Sequence, residues 1–302
     1  MHPALLPSVL GLFLGSSLYF HVRGRLRFKL VRQLTDYSTL LAPYNAFVSL
    51  CTAGGSRPIH DKETFPELKL LRDNWHVIRD EAVALLDAGA VCRAERHDDL
   101  VFYAFMKRGW KRFYLKWYRD FVPSARRLCP RTVELLARVP CVRGAMFTVL
   151  LPQSRLGKHR DPFAGTLRYH LGLSTPNSPQ CWLRLDDRSY VWRDGDDLLF
   201  DSSYVHSAHN KTDHPRLVLF CDVHRPMRGP LSRAINGFVV RHVVPLTQVA
   251  NVPGDPIGVG NRVFLAMRPL RAAIAWLRAG PAPVYVAAKL GVLALVVWAL
   301  WP

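Results

Sequence analysis

The apolar positions of this chain are concentrated at its two ends. Residues 3–20 carry no charged side chain and are about as long as a helix that crosses a bilayer. Basic residues follow at once, between Arg23 and Arg32, and the positive-inside rule assigns them to the cytoplasmic side. Residues 282–302 are apolar except for Lys289. The pattern predicts N- and C-terminal transmembrane helices. The alternatives are a buried core helix at the N-terminus and an interfacial or domain-docked helix at the C-terminus.

Between the ends, the first part of the chain has a helical pattern. Residues 61–90 predict a helix, because Thr64 and Glu67 form a capping-box pattern and apolar residues then recur at helical spacing. A shorter helix is predicted over residues 129–140, which Pro130 opens. Residues 109–119 mix bulky aromatic residues with cations. They are either a half-buried packing segment, a wall of a substrate site or a membrane-facing surface.

From residue 145 onward the pattern changes to short strands separated by turn residues. The predicted strands are 145–151, 167–173, 181–185, 189–192, 197–200 and 216–223. Many short strands at this spacing are typical of a sandwich or barrel of the jelly-roll kind. The sequence therefore predicts a mainly β fold with flanking helices, in which a double-stranded β-helix (jelly roll) forms the catalytic domain.

These patterns divide the chain into five parts. Residues 231–281 have few clear signals, and their Pro- and Gly-containing stretch is typical of a loop. The predicted parts are an N-terminal transmembrane anchor (1–22), a basic juxtamembrane segment (23–60), an oxygenase domain (61–230), a connecting segment (231–281) and a C-terminal membrane segment (282–302).

The charge balance narrows the choice of partners. The chain has 41 Lys and Arg against 23 Asp and Glu, a net charge of +18. Such an excess suits nucleic acid, an anionic membrane surface or an acidic substrate. The sequence has no zinc-finger spacing, homeodomain-like helix or aromatic RNA-binding signature, so we expect no nucleic-acid partner. Basic residues flank both apolar ends, which favours an anionic membrane surface. No obligate protein partner is predicted.

The candidate chemistry lies in an H-x-D pattern and a distant histidine. His159 and Asp161 are two positions apart, so on an extended segment they point to the same side. His206 follows a later strand and turn. Two histidines and one carboxylate on one face of a metal suit a non-haem Fe(II) oxygenase. The alternative is a surface His–Asp pair, which H-x-D alone would not exclude.

Three further residues could bind an acidic co-substrate. Arg216 opens an apolar strand, and a guanidinium there suits a carboxylate such as the distal one of 2-oxoglutarate. The alternative is an internal salt bridge. Arg168 and His170 alternate with apolar residues and so share one face of their strand. If that face is the lumen, they add a second cation and a hydrogen-bond donor; otherwise they form a polar outer face.

Several blocks together resemble the aspartyl/asparaginyl β-hydroxylase family of Fe(II)/2-oxoglutarate oxygenases. They lie between residues 61 and 228 and include GAMFTVLLPQSRLGKHRD, LRYHLGL, LLFDSSYVHSAHN and RLVLFCDVHRP. The resemblance implies a double-stranded β-helix with iron on His159, Asp161 and His206. It also implies 2-oxoglutarate on Arg168, His170 and Arg216, and O₂ as the oxidant. Some family members have glycine in place of Asp161, whereas this chain keeps the carboxylate.

The chain, including its apolar ends, resembles the bacterial branch of this family that acts on lipid A. That resemblance implies C2 hydroxylation of a secondary acyl chain of lipid A by a cytoplasmic catalytic domain at the inner membrane. The lipid's phosphates suit the net charge of +18. The alternatives are another membrane lipid such as an ornithine lipid, a peptidyl Asp/Asn β-hydroxylase, and a tethered scaffold that has lost its metal. An apolar pocket would argue against a peptide substrate.

Overall fold

The fold is built on two facing antiparallel sheets. The computed structural model describes residues 5–93, 99–106 and 108–281, and also residues 284, 288 and 291. Within this part of the chain, ten strands form a six-stranded and a four-stranded sheet. The strands are β1 (Trp110–Trp117), β2 (Asp120–Phe121), β3 (Val142–Leu150), β4 (Ser154–His159), β5 (Thr166–Ser174), β6 (Cys181–Leu185), β7 (Arg188–Val191), β8 (Asp197–Phe200), β9 (His206–Asn210) and β10 (Arg216–His224).

The strand order is that of a jelly roll. The large sheet runs β2-β1-β3-β10-β5-β8 and the small sheet runs β4-β9-β6-β7. From β3 to β10 the chain crosses repeatedly between the sheets, as in a double-sheet jelly roll of eight strands. The prediction of a mainly β fold with flanking helices is confirmed.

The central strands of the large sheet form the core. Every residue of β5 and of β10 is buried except the last in each strand. Helix α5 packs against β5, so one face of the large sheet lies under helices and the other faces the small sheet. A strand that is covered on both faces is buried throughout, which explains why its polar residues lie inside the protein.

Twelve α-helices occur in the described part of the chain. They are α1 (Leu5–Arg23), α2 (Leu30–Thr35), α3 (Ala42–Leu50), α4 (Lys69–Asp73), α5 (Trp75–Asp87), α6 (Ala90–Arg93), α7 (Tyr103–Met106), α8 (Pro123–Leu128), α9 (Pro130–Ala137), α10 (Pro230–Phe238), α11 (Val259–Ala266) and α12 (Arg268–Ala279).

The prediction of one continuous helix over residues 61–90 is wrong. Two 3-10 turns precede α4, and Asn74 separates α4 from α5 with a non-helical backbone conformation. The Asn74 side-chain amide donates to the Leu70 carbonyl oxygen at 2.8 Å, which compensates for the interrupted helical bonding. Most of residues 231–281 is helical, because α10, α11 and α12 lie there, whereas the Pro- and Gly-containing stretch before α11 is non-helical over residues 251–258, as a loop would be.

The N-terminal helix is attached to the jelly roll by its last residue. Arg23 donates from Nη1 to the Ser49 hydroxyl oxygen at 2.6 Å and from Nη2 to the Ser203 hydroxyl oxygen at 2.9 Å. Its guanidinium also lies 3.8 Å from the centre of the Tyr204 ring. Ser203 and Tyr204 lie in the loop just before β9. The end of α1 is therefore packed against the loop that carries His206.

The terminal segments bear on the transmembrane prediction. Helix α1 forms over the predicted anchor, and it exposes a row of large apolar side chains: Val9, Leu10, Leu12, Leu14, Leu18 and Val22. Within the described part of the chain, we find no helix that has both the length and the apolar character needed for a membrane crossing. The transmembrane prediction for residues 1–22 is therefore not supported. The predicted C-terminal segment, 282–302, lies outside the described residues except for 284, 288 and 291.

We expect one buried ion pair to be essential for the stability of the jelly roll. Arg225 lies after β10, and its Nη2 contacts Asp201 Oδ1 at 3.0 Å with both side chains fully buried. Removing one partner leaves the other charge uncompensated, so Arg225→Met should lower the free energy of unfolding by about 3–5 kcal/mol. Urea unfolding followed by circular dichroism measures this change.

The matched control is the exposed ion pair between Arg25 and Asp187, in which the arginine side chain is 82% exposed. Arg25→Met should lower the free energy of unfolding by no more than about 1 kcal/mol, because solvent already screens that pair. Equal losses for the two variants would contradict the special role of the buried pair.

Candidate active site

The pairing of β4 with β9 brings the two predicted histidine ligands side by side. Leu156 pairs with Ala208, and His159 pairs with His206, so β4 has one more residue than β9 over this stretch. This bulge turns His159 inward, where its ring centroid lies 4.1 Å from that of His206. Without the extra residue, Lys158 would oppose His206, and His159 would point to the other face of the sheet.

Asp161 completes the cluster just beyond the end of β4. Its backbone N–H donates to the Ser202 carbonyl oxygen at 3.0 Å, which holds this residue beside the loop before β9. Its Oδ1 lies 3.9 Å from His159 Nε2 and 3.8 Å from His206 Nε2. One ligand atom from each of these three buried residues lies within 4.8 Å of the others. Two imidazoles and a carboxylate at this spacing can hold a divalent metal ion.

Backbone carbonyl groups orient both imidazoles. His159 Nδ1 donates to the Gly157 carbonyl oxygen at 2.7 Å, and His206 Nδ1 donates to the Tyr204 carbonyl oxygen at 2.9 Å. Because a carbonyl oxygen only accepts, each Nδ1 carries the proton and each Nε2 presents a lone pair. Burial and the neighbouring His206 lower the pKa of His159 to about 3, and burial also lowers the pKa of His206. Both rings are therefore neutral, the state in which a histidine binds a metal.

A bridging arginine keeps Asp161 ionised. Arg168 Nη2 lies 2.9 Å from Asp161 Oδ2, and the same guanidinium contacts Asp222 Oδ1 at 3.1 Å. Burial alone would raise the pKa of Asp161, but the Arg168 guanidinium and a hydrogen bond from the Ser202 side chain lower it overall. Asp222 in turn accepts from the Tyr118 hydroxyl at 3.0 Å. Asp222 and Tyr118 thus hold Arg168 in place, a role that their sequence positions alone did not reveal.

Arg216 and His170 line the same small cavity as the triad. The Arg216 guanidinium lies 4.9 Å from the Trp192 ring, and no carboxylate of the described residues forms an ion pair with it. Burial lowers the pKa of Arg216 to about 10 and lowers that of His170. Within the described structure, Arg216 Nε and both ring nitrogens of His170 have no hydrogen-bond partner. Such groups are rarely left unpaired in a protein interior, so the arrangement fits a bound carboxylate.

Two of the alternatives left open by the sequence are thereby decided. Arg216 does not form an internal salt bridge among the described residues, and Arg168 and His170 face the lumen rather than the outside. These groups line a small cavity together with the triad. Of the two arginines, Arg216 offers the unpaired cation, whereas Arg168 already pairs with Asp161 and Asp222.

Thr148 is a further polar group that the sequence reasoning missed. Its hydroxyl oxygen is buried and has no hydrogen-bond partner among the described residues. In the sheet, Thr148 pairs with Val218 and Leu150 pairs with Arg216, so Thr148 and Arg216 lie diagonally on the same face. The sequence signal that could have revealed it is a single hydroxyl residue in the otherwise apolar predicted strand 145–151.

A larger apolar cavity of about 380 Å³ adjoins the triad. Asp161, Arg168 and Asp222 line it, so it meets the metal cluster directly. The rest of its wall is mostly aromatic and aliphatic: Leu41, Val101, Phe102, Phe105, Trp117, Pro162, Phe163, Val239, Val243 and Val244, with Tyr44, Tyr118, Thr166 and Thr247. Trp117 and Tyr118 belong to the aromatic segment 109–119, most of which is the buried strand β1. A cavity with this lining suits an alkyl chain.

A comparison with protein families shows to which family the chain belongs. A family model described as aspartyl/asparaginyl β-hydroxylase matches residues 72–226, a range that contains the triad, Arg168, His170 and Arg216. The chain belongs to the aspartyl/asparaginyl β-hydroxylase family. Membership supports a hydroxylase and agrees with the resemblance predicted from the sequence.

Individual relatives within and near the family differ in what they act on. The chain is 32% identical over 185 residues to the ornithine lipid ester-linked acyl 2-hydroxylase of Rhizobium tropici. The aligned region covers 60% of this chain and 65% of that protein. It is 31% identical over 179 residues to the human aspartyl/asparaginyl β-hydroxylase, covering 57% of this chain and 23% of the relative. The matches thus span less than two thirds of either relative.

Among solved structures, a Pseudomonas putida prolyl-4-hydroxylase is similar over 52% of this chain and 88% of its own, with 15% identity and a TM-score of 0.33.

Removal of one imidazole should strongly weaken metal binding. We expect His206→Ala to weaken Fe(II) binding by more than the roughly 10–100-fold that loss of a mere supporting residue causes, because a direct ligand is lost. Anaerobic titration calorimetry measures the affinity.

His209→Ala is the matched control, since His209 lies three positions further along but stacks on Trp182 with its ring centroid at 4.7 Å. Its loss should leave Fe(II) affinity unchanged. Full Fe(II) affinity in the His206 variant would refute the assignment of this residue as a ligand.

Proposed function

We propose that the protein is an Fe(II)/2-oxoglutarate-dependent dioxygenase that hydroxylates an acyl chain of a membrane lipid. The observation that carries this proposal is the apolar cavity that shares Asp161 and Arg168 with the triad cavity. A substrate in the larger cavity can bring a C–H bond to the metal cluster without leaving an apolar environment. Family membership supports the hydroxylase activity.

The donor set fits the proposed cofactor and co-substrate. His159, Asp161 and His206 would hold Fe(II), and the three protein ligands leave positions free for other molecules. Arg216 and His170, with Thr148 on the same sheet face as Arg216, would receive a carboxylate of 2-oxoglutarate, and Arg168 would add positive charge to the same cavity. When bound, iron with 2-oxoglutarate and O₂ supplies the oxidising power to hydroxylate an unactivated C–H bond.

The remaining residues bind and orient the reactants. The carbonyl oxygens of Gly157 and Tyr204 keep the two Nε2 atoms directed at the metal position. Arg168 keeps Asp161 anionic, so this ligand does not take up a proton at neutral pH. The aromatic and aliphatic lining keeps water away from the reacting carbon and leaves few hydrogen-bond donors for a polar substrate.

Lipid A is the leading substrate in this proposal, with hydroxylation at C2 of a secondary acyl chain. An acyl chain would fit the apolar cavity. The lipid's phosphates suit a polypeptide with a net charge of +18. The catalytic domain would lie on the cytoplasmic face of the bacterial inner membrane. Basic residues follow α1 directly, and the exposed apolar side chains of α1 would contact the bilayer.

An ornithine lipid is the second candidate. The observation that favours it is the 32% identity to an ornithine lipid ester-linked acyl 2-hydroxylase. The same cavity and triad would serve, because both lipids present an acyl chain. A peptidyl Asp or Asn side chain is the less suitable substrate, since the apolar part of the wall provides few partners for a carboxylate or an amide.

The lipid A proposal predicts a change in mass. Expression in a Gram-negative host that lacks acyl 2-hydroxylation should add one oxygen atom to its lipid A, as mass spectrometry would detect. His206→Ala should give no addition, because the metal cluster is broken. If the wild-type protein is present in membranes and lipid A is unmodified, lipid A is not the substrate. The same extracts would then be searched for a hydroxylated ornithine lipid and for hydroxylated protein Asp or Asn.

Arg216 should be needed for the co-substrate but not for the fold. Arg216→Leu should weaken 2-oxoglutarate binding by about 10–100-fold, because a charge-assisted pair is lost. The free energy of unfolding should be unchanged or raised, since an unpaired buried cation is removed. Calorimetric titration with 2-oxoglutarate, in the presence of Mn(II), and urea unfolding test the two expectations.

The control for Arg216 is the exposed residue Arg184 on β6. Arg184→Leu should change neither 2-oxoglutarate affinity nor stability to a measurable extent. A large loss of stability in Arg216→Leu with unchanged 2-oxoglutarate affinity would show that Arg216 is structural.

A further inference from the structure

A cleft rich in arginine lies beside the apolar cavity. It encloses about 850 Å³ between the β1–β2 turn, the start of β3 and the helical segment that begins with α10. Its lining includes four arginines: Arg119, Arg143, Arg233 and Arg241. His242 and Asp120 also line it.

The arginines of this cleft lack an ion-pair partner among the residues that the structure describes. All four are exposed, and in the part of the chain that the structure describes none of them forms an ion pair. Asp120 is the single carboxylate among the described lining residues. Four guanidinium groups around one opening repel each other and focus a positive potential into it. The cleft is therefore suited to an anion that carries more than one negative charge.

Tyr118 separates the cleft from the apolar cavity and lines both. Its φ angle of 54° lies in the left-handed region, which is unusual for a bulky residue and is often found at functional sites. Its hydroxyl donates to Asp222 at 3.0 Å, Asp222 contacts Arg168 at 3.1 Å, and Arg168 contacts Asp161 at 2.9 Å. Three side-chain contacts thus connect the edge of the cleft to the metal cluster.

A second element is shared by the cleft and the cavity. The π-helical segment Val239–Val243 continues α10 and has five residues. Val239 and Val243 line the apolar cavity, whereas Val240, Arg241 and His242 line the cleft. Short π-helical insertions are frequent at functional sites, where they change the direction in which side chains point. One segment of chain therefore provides an apolar wall on one side and a cationic wall on the other.

From these two shared elements we propose that the arginine cleft binds a phosphate of the lipid headgroup while the acyl chain occupies the apolar cavity. This inference rests on the proposed function and specifies its substrate class, a phosphorylated lipid. A phosphate monoester carries close to two negative charges and three acceptor oxygens, which several guanidinium groups can share. An ornithine lipid has no phosphate and would leave most of the cleft without a partner.

The test is equilibrium binding, which does not depend on catalysis. Arg143→Gln/Arg241→Gln is compared with the wild-type full chain for binding of lipid A in detergent micelles. The second probe is the same lipid after phosphatase treatment. The double variant should bind phosphorylated lipid A about tenfold more weakly than the wild type, because two cations near the phosphate are lost. Its affinity for the dephosphorylated lipid should equal that of the wild type.

The matched control is Arg155→Gln/Arg184→Gln, which removes two exposed arginines from the separate basic surface formed by β4 and β6. This variant has the same net charge as the cleft variant, so it should retain wild-type affinity for phosphorylated lipid A. Inorganic phosphate serves as a competitor. If it displaces lipid A only at millimolar concentration, the lipid headgroup is the source of the bound phosphate.

Three results would overturn the proposal. They are equal wild-type affinity for the two forms of the lipid, equal losses in the cleft and control variants, and displacement by inorganic phosphate with the affinity of the lipid itself. Failure of the proposed function would look different. In that case the cleft variant would still lose affinity for phosphorylated lipid A, while mass spectrometry would find no added oxygen in the wild-type reaction.

Discussion

The candidate active site depends on the register between β4 and β9. His159 and His206 are a directly opposed pair, and they face each other only because β4 contains one extra residue between Leu156 and His159. The carbonyl oxygen of Gly157, within that bulge, also accepts a hydrogen bond from His159 Nδ1. A single irregularity therefore directs the side chain inward and orients its ring. A shift of one residue would place Lys158 at this position.

Two buried arginines in the interior of the jelly roll have opposite electrostatic environments. Arg168 is held between Asp161 and Asp222, which compensates a buried cation and keeps a metal ligand ionised. Arg216 lines the same cavity, and the described residues offer it no carboxylate. Burial of an unpaired guanidinium is unfavourable, so the stability of this region is linked to whatever anion binds there. The first arrangement prepares a metal site, and the second suits an acidic ligand.

The accuracy of the sequence predictions followed the strength of the local pattern. All six predicted strands are present, and their ends differ from the predictions by at most three residues. Strands β1, β2, β4 and β9 are not among the six predicted ranges; β1 was missed because its aromatic and cationic residues obscure the alternation of a strand. The helix break at Asn74 and helices α10 to α12 were also missed. Short helices with few caps depend on packing against the rest of the protein, which a local pattern does not record.

The sequence alone was sufficient for the mainly β fold, and it indicated the six residues that we propose to bind metal and co-substrate. Strand alternation and an H-x-D pattern are local properties, and local residue order reveals them. Only the tertiary structure decided that Arg168 bridges two carboxylates, that Arg216 has none among the described residues, and that an apolar cavity meets the triad. These properties depend on which groups from distant parts of the chain come within a few ångströms. Strand pairing and sheet packing determine those distances, and residue order does not reveal them.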